Sequence, residues 1–288
     1  MITGVNGNQV KHVIALLKKA KERRESGEFV VEGPRMVFEA PKDRIVKIYY
    51  SESFKNSHKE EIEKLLHGEL KEKTEKVEDK AFATMSDTQT PQGIMAVVKQ
   101  SLSTLEDILA NADSAREKKL SKGVPGGVIA GVTAPVAEAP LYVVTENLQD
   151  PGNLGTIIRM GEGSGVNAVI MSKDTVDVFN PKVVRSTMGS IYRMKMCVVS
   201  DVISAIEEIK AHQVKVYAAH LKGKNSYEKE NYKTGTAFLI GNEGNGLTDA
   251  VADAASEYIR IPMKGQVESL NAAIACTVLC YEAMRQRG

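Results

Sequence analysis

With 288 residues, 42% of them hydrophobic and 26% charged, the chain is long enough for two domains with full cores, and it falls outside the disordered, collagenous and membrane-spanning classes. Its net charge of +1 excludes a uniformly basic protein that coats nucleic acid, although local clustering of charge still decides RNA binding. No apolar run reaches membrane length and no basic-then-apolar leader opens the sequence. Cys197, Cys276 and Cys280 form no CxxC pair, so a reducing cytoplasm is expected; the five scattered histidines have no metal-ligand spacing.

In chain order, residues 8 to 26 carry Val10, Val13, Ile14 and Leu17 on one helical stripe, with Lys18, Lys19, Lys21, Arg23 and Arg24 opposite and Gly27 as the stop. That charge run is either a solvated face or a phosphate-contacting one. A strand (Phe29 to Glu32), a helix opened by Pro34, a strand (Ile45 to Tyr50) and a charged helix over 57 to 67 follow. A strand near Val77, a short helix around Phe82 and a strand at Ile94 to Val98 complete a compact α/β domain over residues 1 to 100. Residues 101 to 139 hold one amphipathic helix and then a Gly/Ala/Pro-rich linker.

From residue 140 to 288, near-continuous apolar strands alternate with helices: Leu141 to Thr145, Ala168 to Met171, Met196 to Val199, Val214 to Ala219, Thr236 to Ile240 and Tyr258 to Ile261. Such strands predict a mostly parallel sheet covered by helices on both faces, with ligands beyond the strands' carboxyl ends. Three strand-to-loop junctions stand out there. They are Glu146 to Val166, which contains Asn153 and Arg159; Leu239 to Leu247, which contains Gly241-Asn-Glu-Gly; and Ile261-Pro-Met to Ser269-Leu-Asn. Ser269 is the expected N-cap of the last helix. Singly each loop is an ordinary turn, and the second is not a dinucleotide fingerprint, because it follows a late strand and carries a Glu within the turn.

Together and in this order, the three loops resemble the SpoU/TrmH-type RNA ribose 2′-O-methyltransferases of the SPOUT superfamily, with Asn180-Pro-Lys-Val-Val-Arg-Ser-Thr-Met-Gly similar as well. The first hundred residues resemble an accessory RNA-binding domain of ribosomal-protein L30e type, through Phe29-Val-Val-Glu-Gly-Pro-Arg. The resemblance implies a deep trefoil knot in the catalytic domain, a homodimer, and S-adenosylmethionine bound at Gly241, Ile261 and Leu270, with Leu239, Met263, Ala218 and Ala219 as further positions; the histidine spacing already led to an expectation of no metal. The resemblance also implies a catalytic set of Arg159, Asn153, Glu243, Ser269 and Asn271, with Arg185 of the matched central stretch as a phosphate contact; in the N-terminal domain Arg35 and the charged face with Lys18, Lys19, Arg23 and Arg24 are the candidate RNA contacts. An arginine stays charged in a protein, so Arg159 is expected to grip a phosphate and stabilise a developing alkoxide rather than act as a base. The expected substrate is ribosomal RNA of 23S type. A tRNA substrate, or a non-catalytic RNA-binding or ribosome-assembly role, stands as the alternative. A doubly wound dehydrogenase is disfavoured, since the first strand-helix turn lacks the glycine pattern.

Overall fold

The computed structural model describes residues 2, 4, 7–110, 139–267 and 269–288; the Gly/Ala/Pro-rich linker lies largely outside them. The chain forms two compact units, one of Met1–Ser101 with Asp177–Arg193 and one of Leu102–Val176 with Met194–Gly288.

The first unit runs α1 (Asn8–Lys18), α2 (Ala20–Ser26), β1 (Glu28–Glu32), α3 (Pro34–Phe38), β2 (Ile45–Ser51), α4 (Glu52–Ser57), α5 (Lys59–His67), β3 (Thr74–Val77), α6 (Asp79–Met85) and β4 (Ile94–Lys99). Its sheet has the order β1-β4-β2-β3; β4 is antiparallel to both neighbours and β3 is parallel to β2. Val10, Val13 and Leu16 of α1 pack with Phe82 and Met85 of α6 over Val30, Tyr49, Met95 and Val97, while Ile14 and Leu17 of the expected stripe are only partly buried beside them. The helix expected over 8 to 26 is broken, because Lys19 is extended (φ −122°, ψ 113°). Arg23 supplies the reason. Its guanidinium is buried and donates to the carbonyls of Leu16 (2.6 Å) and Leu17 (3.4 Å), which α1 leaves unpaired at its C-terminus. Asp177 closes the arrangement with an ion pair to Arg23 at 2.7 Å, and Phe179 packs on Phe29 with ring centroids 4.9 Å apart. Segment 177–193 thus shares this unit's core, far along the chain from the rest of it.

The second unit carries the helical residues 105–110 (α7), β5 (Leu141–Thr145), α8 (Pro151–Gly163) and β6 (Ala168–Ser172). After α9 (Pro181–Thr187, which belongs to the first unit) it continues with β7 (Lys195–Val199), α10 (Val202–Ala211), β8 (Lys215–Ala219), β9 (Asn225–Ser226) and β10 (Thr236–Ile240). It ends with α11 (Asp249–Asp253), β11 (Glu257–Arg260) and α12 (Ala272–Arg287). Its seven strands pair in the order β7-β6-β5-β10-β8-β11-β9, every pair parallel, as the apolar strands predict. Strand alternation sorts the core. Ala237 and Leu239 join Tyr142, Val144, Val216 and Ala218 against Ile206 and Ile209 of α10 and Val251 of α11. The alternate residue Phe238 packs against Tyr217, tilted with centroids 6.1 Å apart, and against Tyr232, edge-on at 5.1 Å. Helices α8 and α12 pack on one another, and α12 reaches β10. Parallel pairing puts the carboxyl ends of β5, β10, β8 and β11 at one edge, and the three motif loops leave from that edge.

Candidate active site

Helix α8 starts with Asp150 as N-cap, whose side chain accepts from the Asn153 N–H at 2.8 Å, and Pro151 at the first helical position. The N–H groups of Gln149 and Asp150 donate to Glu243, at 3.1 and 2.9 Å. A carboxylate from the β10 loop therefore sits on the positive end of α8, where the orphan donors and the helix dipole favour a negative charge. Burial pushes the Glu243 carboxyl up, but the Asn153 amide and the two backbone donors outweigh it and hold the group below its ordinary 4.5.

Asn153 is the centre of the arrangement. It is nine-tenths buried, its Nδ2 donates to Glu243 at 2.9 Å, and its Oδ1 accepts from Asn271 Nδ2 at 2.9 Å. Asn271 in turn accepts from the N–H groups of Ala273 (2.9 Å) and Ile274 (3.2 Å) and so caps α12. This corrects the assignment of the cap to Ser269: both residue types cap helices well, and Asn271 stands immediately before the first helical residue. One side chain from each of the three loops thus forms the relay Glu243–Asn153–Asn271.

Beside this relay, the carboxyl edge of the sheet holds a cavity of 310 Å³, within the size range of small-molecule sites. Gly241, Ile261, Met263, Leu270, Ala219 and Ser269 line it, as the sequence leads one to expect of all of them except Ser269. Ala218 and Leu239 do not line it: both point into the core beneath, fully buried, because they occupy inward positions of β8 and β10. The glycine loop is tightly closed. Asn242 and Gly246 exchange backbone hydrogen bonds at 3.0 and 2.9 Å, and a Cβ on Gly241 would stand 2.1 Å from the Gly246 carbonyl carbon. Among the lining residues that escaped the sequence reading are the polar Asn242, His220 and Arg260. His220 directly follows β8, Arg260 ends β11 and Asn242 stands two residues past β10; that placement at the carboxyl edge is the signal that would have found them.

Arg159 lies six residues beyond Asn153, about 9 Å along α8. Its side chain is exposed and makes no hydrogen bond or ion pair among the described residues, which leaves its charge available to a ligand. In the first unit Lys18, Lys19 and Arg24 are exposed, whereas Arg35 is exposed but paired with Glu39 (2.9 Å) and Arg185 is paired with Asp87 (3.2 Å). Arg23 is a correction. Only 3% exposed and committed to Asp177 and two carbonyls, it has no donor surface to offer a phosphate. Among the described residues no group of acidic, histidine and cysteine side chains could hold a metal, and no helix is long and apolar enough to cross a membrane.

Fold and cavity together define an α/β protein with a small-molecule site at the carboxyl edge of a parallel sheet. Comparison with known proteins narrows this. The SpoU rRNA methylase family model matches residues 140–281, and the MRM3-like substrate binding domain model matches residues 7–96. RlmP of Bacillus subtilis (strain 168), a 23S rRNA (guanosine(2553)-2′-O)-methyltransferase, is 31% identical over 266 residues, covering 92% of each chain. The AdoMet-bound rRNA methyltransferase from Sinorhizobium meliloti is similar with a TM-score of 0.75 at 29% identity, over 99% of this chain and 97% of that one. The SpoU methyltransferase AviRb from Streptomyces viridochromogenes, in complex with AdoMet, gives 0.77 at 25% identity, over 98% and 99%. The chain belongs to the SpoU rRNA methylase family.

Proposed function

We propose that the protein methylates a ribose 2′-hydroxyl of ribosomal RNA, using S-adenosylmethionine bound in the cavity at the carboxyl edge of the sheet. The observation that carries this reading is the Glu243–Asn153–Asn271 relay, which fixes the cavity wall, the helix bearing Arg159 and the start of α12 against one another. The cavity suits such a cofactor: Leu221, Leu247, Ile261, Met263 and Leu270 offer apolar surface to a nucleoside, and the backbone around Gly241 offers polar edges. When bound, S-adenosylmethionine supplies a methyl group already activated on a sulfonium.

The remaining task for the chain is to hold a weak nucleophile in line and to ease the loss of its proton. Arg159 carries that role. Fixed through α8 but free at its guanidinium, it grips the phosphate beside the target ribose and stabilises negative charge growing on the 2′-oxygen. An arginine in this place acts as an electrostatic partner of that oxygen rather than as the base that takes its proton. Asn153 and Glu243 are positioning residues, since among the described residues their side-chain hydrogen bonds run to one another, to Asn271 or to the backbone at the start of α8. Ser269 and Asn271 shape the third loop.

The same reading divides the chain into an RNA-binding domain over 1–100, a linker over 101–139 and a catalytic domain over 140–288, of which 177–193 packs into the first unit and to which helical residues 105–110 are joined. Lys18, Lys19, Arg24, Arg35 and Arg185 are its RNA contacts. The match of residues 7–96 to a substrate binding domain supports the first part. The C-terminal backbone threads a trefoil knot; the insertion of β11 between β8 and β9, with α12 returning onto β10 and α8, supports it. The protein works in the cytoplasm as a homodimer. In support, α12 buries one face and leaves a second apolar face outside, with Ile274 51%, Tyr281 44% and Met284 45% exposed.

The test is methyl transfer from labelled S-adenosylmethionine to unmodified ribosomal RNA and, separately, to unmodified tRNA. Label in ribosomal RNA alone is the expected result. Label in tRNA alone overturns the substrate, and no label in either overturns the activity.

A further inference from the structure

The cavity wall is hung from a segment to which neither the relay nor Arg159 assigns a role, namely Glu146 and Asn147 at the end of β5. Glu146 is 6% exposed, and its two carboxylate oxygens go to a single residue. Oε2 accepts from the Thr248 N–H at 2.8 Å and Oε1 from the Thr248 hydroxyl at 2.7 Å. Thr248 closes the glycine loop at its far end and caps α11 by accepting from the Val251 N–H at 3.3 Å. At the near end of the loop, Asn242 Nδ2 donates to the Asn147 carbonyl at 2.8 Å, while Asn242 Oδ1 accepts from the N–H groups of Gly244 (2.9 Å) and Asn245 (3.1 Å). Asn147 sits in the left-handed region (φ 50°) and is itself held: its N–H donates to Ser172 Oγ at 2.9 Å. Two consecutive residues therefore grip both ends of the loop 241–248, whose members Gly241 to Leu247 line the cavity.

We propose that Glu146 is a positioning residue for S-adenosylmethionine binding, acting through Thr248 on the loop that forms the cavity wall. The inference rests on the cofactor reading above. A loop of three glycines and two asparagines has many conformations to lose on binding, and an anchor at each end removes that cost in advance. Glu146 lies outside the cavity lining, so its effect falls on cofactor affinity rather than on the chemical step. Its part is geometric: two acceptor positions spaced to meet one residue's N–H and O–H. A glutamine keeps that geometry, because its Oε1 can serve the N–H while its amide donates to a rotated Thr248 hydroxyl.

The experiment uses the full-length chain and measures the equilibrium affinity for S-adenosylmethionine by calorimetry, together with KM and kcat for methyl transfer. Glu146→Ala is expected to weaken binding about tenfold (about 1.4 kcal/mol at 25 °C) and to raise KM in step, with kcat at saturating cofactor within twofold of wild type. Glu146→Gln is expected to stay within about threefold in affinity. Thr248→Val, a milder change should the alanine variant fold poorly, is expected to weaken binding by severalfold. Adding it to Glu146→Ala should cost less than a further twofold, since both remove one linkage. An affinity for Glu146→Ala within twofold of wild type overturns the proposal while leaving the cofactor reading intact, as does a fall in kcat with unchanged KM. Failure of the wild-type chain to bind S-adenosylmethionine overturns the cofactor reading itself and this proposal with it.

Discussion

Replacing Asn153 tests the relay most sharply, because alanine and aspartate break it in different ways. Asn153→Ala removes two hydrogen bonds, the one it donates to the Glu243 carboxylate and the one it accepts from the Asn271 amide. A neutral side-chain hydrogen bond contributes about 1 kcal/mol net and one to a charged group about 1.5 to 3 kcal/mol; Glu243 is solvent-exposed, so the lower end applies, and the sum is about 2.5 kcal/mol. For a unit of this size that corresponds to a fall of about 5 to 10 °C in Tm. Asn153→Asp is nearly isosteric and still accepts from Asn271, but it sets a carboxylate oxygen against Glu243 where a 2.9 Å donor bond stood. Unit charges at about 3 Å repel by roughly 1 to 5 kcal/mol between the dielectric of water and that of a protein surface, so aspartate is expected to be worse than alanine at pH 7. The repulsion raises the introduced carboxyl above its unfolded value. Its penalty is therefore present at neutral pH and relieved as pH falls through the raised value. Thermal unfolding followed by circular dichroism between pH 7 and pH 4 reads all of this. An aspartate variant as stable as wild type at pH 7, or a gap from alanine that widens on acidification, refutes the relay as drawn.

Other expectations follow from particular contacts. Arg159→Ala should leave S-adenosylmethionine affinity within twofold and lower kcat by about 10² to 10³, the usual loss of a group that stabilises transition-state charge; calorimetry and single-turnover kinetics separate the two. Gly241→Ala drives a methyl group to 2.1 Å from backbone, so cofactor binding should be lost even in the protein that still folds, as judged by calorimetry on monodisperse material. Arg23→Ala leaves Asp177 and two α1 carbonyls without their partner and should cost about 3 kcal/mol in chemical denaturation, whereas Arg24→Ala should leave stability unchanged and weaken RNA binding in a filter assay. Glu243 is held below its ordinary 4.5, so its contribution is complete above that value and lost as pH falls through the lower folded one. The stability difference between wild type and Glu243→Gln should be constant from pH 8 to 6 and vanish in acid.

What the sequence made legible, and what it hid, has physical causes. Strands such as β5 and β10 are apolar at nearly every position because helices cover both faces of the sheet, and such runs are readable without tertiary knowledge. The three loops were readable as a set through their resemblance, in this order, to the SpoU/TrmH-type methyltransferases. Their bonding was not: no pattern in the sequence says that Asn153 reaches Glu243 on one side and Asn271 on the other. The cap of α12 was misplaced by two residues because Ser269 and Asn271 have equal local claims, and only the packed helix start distinguishes them. Lys18 to Arg24 read as one charged face because helical periodicity places all its members outside. The break at Lys19 and the inward turn of Arg23 come from carbonyls of α1 and from Asp177, a partner 154 residues away. The packing of 177–193 with the first unit was hidden for the same reason: a linear reading draws boundaries along the chain, and this segment shares its core with elements that precede it.

The most direct measurement is the identity of the methylated nucleoside. Ribosomal RNA lacking its native modifications is incubated with the full-length protein and labelled S-adenosylmethionine, then digested to nucleosides and, in parallel, hydrolysed with alkali. A 2′-O-methyl group blocks cleavage of the adjoining phosphodiester, so the account predicts a single labelled 2′-O-methylnucleoside after digestion and a labelled, alkali-resistant dinucleotide after hydrolysis. With Arg159→Ala both products should fall together. Label on a base, with every phosphodiester still sensitive to alkali, would contradict the account.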